Sequence, residues 1–161
     1  MAFWQQTAAQ QKNFKNAVNY EVMGHARCLF SLNYERHIYA FNDILSMKFR
    51  TGFGIQKGYI ASDDNKYGQR TYLPTVLNLL IGKHSHFAQA GIGYTCLFTS
   101  GLKDNTEIPA KEYPRFSGAY AASIGYRFVD DRIILQAYPT FIWEPGKGME
   151  TSFGLSIGYQ F

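Results

Sequence analysis

The chain has no run approaching the roughly 18 apolar residues that cross a bilayer as a helix, although 46% of its 161 residues are hydrophobic. Any membrane-spanning form must therefore be a closed barrel of strands, the other arrangement that satisfies every backbone group in hydrocarbon. A basic stripe is missing too. Sixteen Lys and Arg are scattered among 12 Asp and Glu for a net charge of +4, which argues against nucleic acid as a partner. The opening MAFWQQTAAQQ has no basic region followed by an apolar core, so a signal peptide is not visible; for a membrane-bound form the expectation is that one was removed. The 15 glycines show no phosphate-loop spacing and imply no nucleotide.

What the chain does have is alternation. In ETSFGLSIGYQF (150–161), Phe153, Leu155, Ile157, Tyr159 and Phe161 occupy every second position, with Ser152, Gly154, Ser156, Gly158 and Gln160 between them. Such a segment is a strand with one greasy face and one small, polar face. Ending on an aromatic carboxy-terminus, it resembles the last strand of bacterial outer-membrane barrels, which implies Phe161 as an assembly signal.

The same period predicts eight strands, over about 18–25, 28–37, 45–54, 70–81, 86–98, 116–128, 132–142 and 150–161. Most match the roughly 9–11 residues that a tilted strand needs to cross a bilayer. The segments 38–44, 82–85 and 129–131 read as short turns on one rim. Those at 55–69, 99–115 and 143–149 lie on the other, the first two long and polar, with 26–27 a very short outer loop. This asymmetry is that of an eight-stranded antiparallel up-and-down transmembrane β-barrel. Residues 1–17 stand apart from the barrel at 18–161 and read two ways: as a short interfacial helix anchored by Trp4, or as a disordered terminus. Pro74 and Pro139 fall inside predicted strands, where a bulge is the expected accommodation.

With the apolar side outward, the opposite parity fills the lumen. Glu21, Asn33, Glu35, Lys48, Arg50, Asn78, Gln89, Arg127 and Gln136 fall there. An eight-stranded barrel is just wide enough for side chains, so Glu21 and Glu35 are expected to pair with Lys48, Arg50 and Arg127 in a structural network. Glycines at 52, 54, 91, 93, 125, 154 and 158 relieve crowding. Trp4, Tyr34, Tyr94, Phe98, Tyr126, Trp143 and Tyr159 suit interfacial girdles. Cys28 and Cys96 take the outward parity on non-neighbouring strands, which argues against a disulfide and makes both small apolar fillers.

Because two lipid-modifying enzyme families use small barrels, catalysis also has to be weighed. Of His25, His37, His84 and His86, only His25 falls near the outer rim, where Ser62, Asp63 or Asp64 could approach it through space. No local triad is present, and no catalytic residue is assigned beyond His25 as a candidate. His84-Ser85-His86 is a polar turn without the carboxylate or thiolate ligands of a metal site, and no cofactor is implied.

Several stretches resemble a family of small, functionally uncharacterised outer-membrane β-barrel proteins found in Bacteroidetes. They are YEVMGHARCLFSLNYERHI (20–38), YLPTVLNLLIGKHSHFAQAGIGYT (72–95), SIGYRFVDDRIILQAYPTFI (123–142) and GLSIGYQF (154–161). The resemblance implies an integral outer-membrane barrel of a Gram-negative cell envelope and supplies no catalytic residues. Three functions follow as expectations. The first is a structural, anchoring or accessory barrel, plugged by its own side chains. It would contact outer-membrane lipids and lipopolysaccharide, the barrel-assembly machinery and possible envelope-protein partners. The second is a lipid A-modifying acyltransferase or deacylase; the third is a soluble lipocalin-like carrier of a hydrophobic ligand.

Overall fold

A computed structural model describes residues 15–59, 66–104 and 116–161. Its eight strands are β1 (Asn16–Val22), β2 (Phe30–Ala40), β3 (Leu45–Tyr59), β4 (Lys66–Lys83), β5 (His86–Asp104), β6 (Phe116–Asp130), β7 (Ile133–Glu144) and β8 (Gly148–Gln160). Each pairs antiparallel with its chain neighbours, and β1 pairs with β8 to close the barrel. The seam is completed at the chain end, where Asn16 N–H donates to the Phe161 carbonyl and Phe161 N–H to that of Asn16, at 3.2 and 2.8 Å.

The pairing is staggered. A walk from Ala17 through its successive partners Glu35, Arg50, Val76, Gly93, Ala121 and Ile142 arrives at Glu150, ten residues from Gln160, which Ala17 meets across the seam. This shear tilts the strands by about 40° and sets a bore that side chains fill.

Burial follows the period of two, with inverted polarity. Ile92 is 66% exposed and Ile124 62%, whereas Glu21 and Arg127 are 0% exposed and Arg50 is 1%. On β8, Phe153, Leu155, Ile157 and Tyr159 face outward while Gly154, Ser156, Gly158 and Gln160 are buried. An ordinary soluble core places these groups the other way round. The apolar clusters inside are small, one of Ala26, Cys28, Tyr72 and Leu97 and another of Ala119, Ala121 and Ile142.

Several boundaries differ from the periodicity-based expectation. The first strand stops at Val22 instead of running to 25, and residues 23–29 form a reversal with a 3-10 turn at Gly24–Ala26. The expected two-residue loop at 26–27 is part of it. Met23, Gly24 and Arg27 take positive φ values of 61°, 69° and 55°, which end the alternation and reset side-chain parity. Cys28 is consequently buried inside, 2% exposed, and not outward as its parity suggested. Much of the polar 55–69 and 99–115 is strand, because β3 runs to Tyr59, β4 starts at Lys66 and β5 reaches Asp104. At the opposite rim β2 continues to Ala40 past a bulge between His37 and Tyr39. Of the expected N-terminal segment, residues 1–14 with Trp4 lie outside the described residues, while Asn16 and Ala17 belong to β1.

The prolines do not produce bulges. Pro74 and Pro139 pair with Thr95 and Phe153 on one side. On the other side the ladder is interrupted, between Thr51–Thr75 and Gly54–Tyr72 and between Ser123–Thr140 and Tyr126–Ala137, with the register unchanged across each gap. Each strand loses bonds locally without the extra residue that a bulge inserts. At the second gap Gly125 lies against Tyr138: a Cβ there would overlap the Tyr138 Cβ and the Ala137 carbonyl. Gly125→Ala is therefore expected to lower the unfolding free energy by about 1–3 kcal/mol through overpacking, read as a lower urea midpoint for the protein folded in detergent. An unchanged midpoint would refute this close approach.

Candidate functional site

The lumen holds the chemistry-bearing side chains. Strand alternation brings Asn19 and Glu21 from β1, Asn33 and Glu35 from β2, Lys48 and Arg50 from β3, Asn78 from β4, Gln89 from β5, Arg127 from β6 and Gln136 and Tyr138 from β7 to one interior. Glu35 is the hub. Its Oε1 meets Arg127 Nη1 at 2.6 Å and Lys48 Nζ at 3.5 Å, and its Oε2 meets Arg50 Nη2 at 3.1 Å. Arg50 also reaches Glu21 Oε2 at 3.3 Å, donates to Tyr138 Oη at 3.1 Å and bonds Gln136 Oε1. Its guanidinium lies over the Tyr138 ring, 5.9 Å from the centroid. Gln89 Nε2 donates to Asn78 Oδ1 at 3.3 Å, and Asn78 is the ladder partner of Lys48. The five charged residues picked out by parity thus share one network, with three cations facing two carboxylates.

Glu21 links this network to the 3-10 turn. While its Oε2 accepts from Arg50 and Asn33, its Oε1 accepts the His25 backbone N–H at 3.0 Å. Gly24 is required beside it, since a Cβ there would overlap the same carboxylate oxygen. The turn folds into the barrel as a plug. Thr95 Oγ1 donates to the His25 carbonyl at 2.8 Å, and the imidazole lies against Tyr138 with centroids 5.2 Å apart.

Placement of His25 changes its chemical meaning. It is 1% exposed and turned into the lumen, not toward the outer surface. Its Nε2 lies 3.0 Å from Ser123 Oγ, yet Glu21 binds its backbone and not Nδ1, which has no protein partner. A serine, a histidine and an acid are therefore close without the relay of a triad, and no lipid face reaches them. Ser62, Asp63 and Asp64 lie outside the described residues. His86 packs on Phe128 at 5.3 Å and its Nδ1 meets Tyr126 Oη. Cys28 donates to the Phe30 carbonyl at 3.0 Å, and Cys96 is not joined to it.

Among the described residues, expected interfacial aromatics point outward with specific partners. Tyr34 Oη donates to Asn16 Oδ1 at 2.7 Å, Tyr94 meets Tyr120 edge-on at 5.0 Å, and Trp143 stacks on Tyr120 at 5.5 Å. Tyr159 Oη accepts from Arg132 Nη1 at 2.6 Å. Tyr138, Asn19 and Ser123 were missed by sequence reasoning, although their inward parity was available as a signal. Nothing in the sequence marked the plug except Gly24.

On either side of this network lies a polar recess. The outer one has a volume of about 460 Å³ and is lined by Arg27, Arg70, Tyr72, Glu144 and Glu150 among others; the inner one, about 410 Å³, includes His37, Lys48 and Arg127.

A closed eight-stranded antiparallel barrel with an apolar exterior and an ion-paired interior is the architecture of small transmembrane β-barrels. No protein-family model matches this sequence, and no curated protein does. Solved structures similar in fold include the Yersinia pestis outer membrane protein Ail in a phospholipid bilayer nanodisc, at 12% identity and TM-score 0.54, covering 91% of this chain and 97% of that one. The N-terminal β-barrel domain of Pseudomonas aeruginosa OprF is similar at 11% identity and TM-score 0.54, covering 91% and 96%. Ail in complex with the heparin analogue sucrose octasulfate gives 13% identity and TM-score 0.51, covering 91% and 94%. Identities this low establish a shared fold alone.

If Arg50 neutralises Glu21 and Glu35, Arg50→Met should cost about 3–5 kcal/mol by stranding buried carboxylates. Urea unfolding in detergent measures it, and a loss below about 1 kcal/mol, the scale of an exposed pair, would show that the network is not structural.

Proposed function

We propose that the chain is an integral outer-membrane barrel with an anchoring or accessory role in the cell envelope. Its lumen is closed by its own side chains, and its outer rim is available for contacts. The observation that carries this reading is the inverted polarity: large apolar side chains cover the outside while the ionised groups lie inside. Such a surface is matched by hydrocarbon and not by water. Outward Trp143, Tyr120 and Tyr159 suit the headgroup zones. Outer-membrane lipids and lipopolysaccharide are then the surroundings, and barrel-assembly machinery is the route in. The Bacteroidetes family resemblance is consistent with this address.

The competing functions are less well supported. A soluble carrier needs an apolar interior, and the interior here is charged. A lipid A-modifying enzyme needs its base at the lipid face, and His25 is turned away from it. The long outer strands suit contact with an envelope partner or surface polysaccharide, and one protein of this fold, Ail, is known in complex with a sulfated sugar.

Two measurements test the assignment. The full chain should require detergent and migrate differently on gels with and without boiling. Ile124→Lys, on the outward face, should weaken folding into lipid by about 2–4 kcal/mol if the site lies near the bilayer midplane. A chain soluble without detergent, in which Ile124→Lys is neutral, would overturn the membrane assignment.

A further inference from the structure

Among the described residues the barrel wall is incomplete on its outer rim. Pairing of β8 with β1 ends at Leu155, so Gly148–Gly154 is bonded to β7 alone. Pairing of β3 with β2 ends at Gly54, so Ile55–Tyr59 is bonded to β4 alone. Among the described residues no strand fills the space between these two edges, and the sill of the resulting notch is the reversal at 23–29. Behind the sill lies the outer recess of about 460 Å³, with lining residues on both flanks, Gln56 from β3 and Thr151 and Ser152 from β8.

The recess and the outside of the notch differ in chemistry. Inside, Arg27 binds Glu144 and Glu150, each at 2.6 Å, and Lys147 binds Glu144 at 2.7 Å. Arg70 lines the same recess as a third cation among the described residues, where its buried Nε has no hydrogen-bond partner. Among the described lining residues one positive charge is therefore in excess, carried on guanidinium groups that suit a phosphate. Outside, Met23 and Leu29 on the sill and Phe53, Met149 and Phe153 on the flanks are exposed.

We propose that this notch admits, from the side, the headgroup of a phosphate-bearing membrane lipid. The phosphate enters the cationic recess, and the acyl chains lie over the apolar sill and flanks. A soluble phosphate would find the same cations through the open top but would leave Met23 and Leu29 uncovered and make no use of the missing wall. The inference rests on the membrane assignment above.

Native mass spectrometry of the full chain folded in detergent tests it, with phosphatidylglycerol, diacylglycerol of the same chains, and glycerol phosphate as probes. One phosphatidylglycerol should be retained per barrel and diacylglycerol should not. Replacing Arg70 and Lys147 together by Gln should reduce that retention about tenfold, the scale of a lost charge-assisted contact. Replacing Met23 and Leu29 together by Ser should reduce lipid retention while leaving the weaker association of glycerol phosphate unchanged. The boiling-dependent gel shift reports the fold of each variant. Equal retention of phosphatidylglycerol and diacylglycerol, or competition by glycerol phosphate at equal concentration, would overturn the lipid site while leaving the barrel intact. Absence of the gel shift in the unaltered chain would instead sink the membrane assignment.

Discussion

The carboxylate of Glu35, buried and held by Arg127, Arg50 and Lys48, is the contact on which the interior depends. Its importance follows from the shape of the molecule. An eight-stranded bore has room for side chains but little else, and the outward positions are occupied by apolar groups. Ionised residues consequently converge on a narrow core where an unpaired charge is costly. Glu35 and Arg127 stand on β2 and β6, across the bore from one another, so their ion pair braces the barrel internally in addition to its backbone ladder. Arg50 extends the brace to Glu21 on β1 and to Gln136 and Tyr138 on β7.

The same network positions the outer mouth. Glu21 divides its two oxygens between Arg50 and the backbone of His25, which ties the depth of the plug to the ionic core. Arg27, two residues on, ties the other end of the turn to β7 and β8 through Glu144 and Glu150. Because β1 and β2 end early, the reversal that joins them lies below the tips of the other strands, where it can both stopper the bore and leave a gap between the described strands on one side of the rim. The plug, the notch and the charged recess are thus connected consequences of one short hairpin.

The structural neighbours share the architecture at 11–13% identity. At such identities the likeness is one of fold and not of a set of side chains. A fold of this kind therefore indicates where a protein can reside, while its activity belongs to sites built on that frame.

Strand number, antiparallel order and the identity of the inward residues were legible in the sequence, because a period of two sends alternate residues to opposite faces whatever the rest of the chain does. Glu21, Glu35, Lys48, Arg50 and Arg127 could be placed in the lumen on that ground alone. Alternation fails where the backbone leaves the strand region. The positive φ values at Met23, Gly24 and Arg27 broke the count, so Cys28 was misplaced, His25 was read as part of the first strand, and the plug was invisible. The strand extensions toward 59, 66 and 104 were hidden for another reason, since polar residues in a strand that projects past its neighbours look like a loop. Which acid meets which base, and where the wall is left open, depended on the stagger between strands, a relation among residues far apart in the chain that only their closure into a barrel decided.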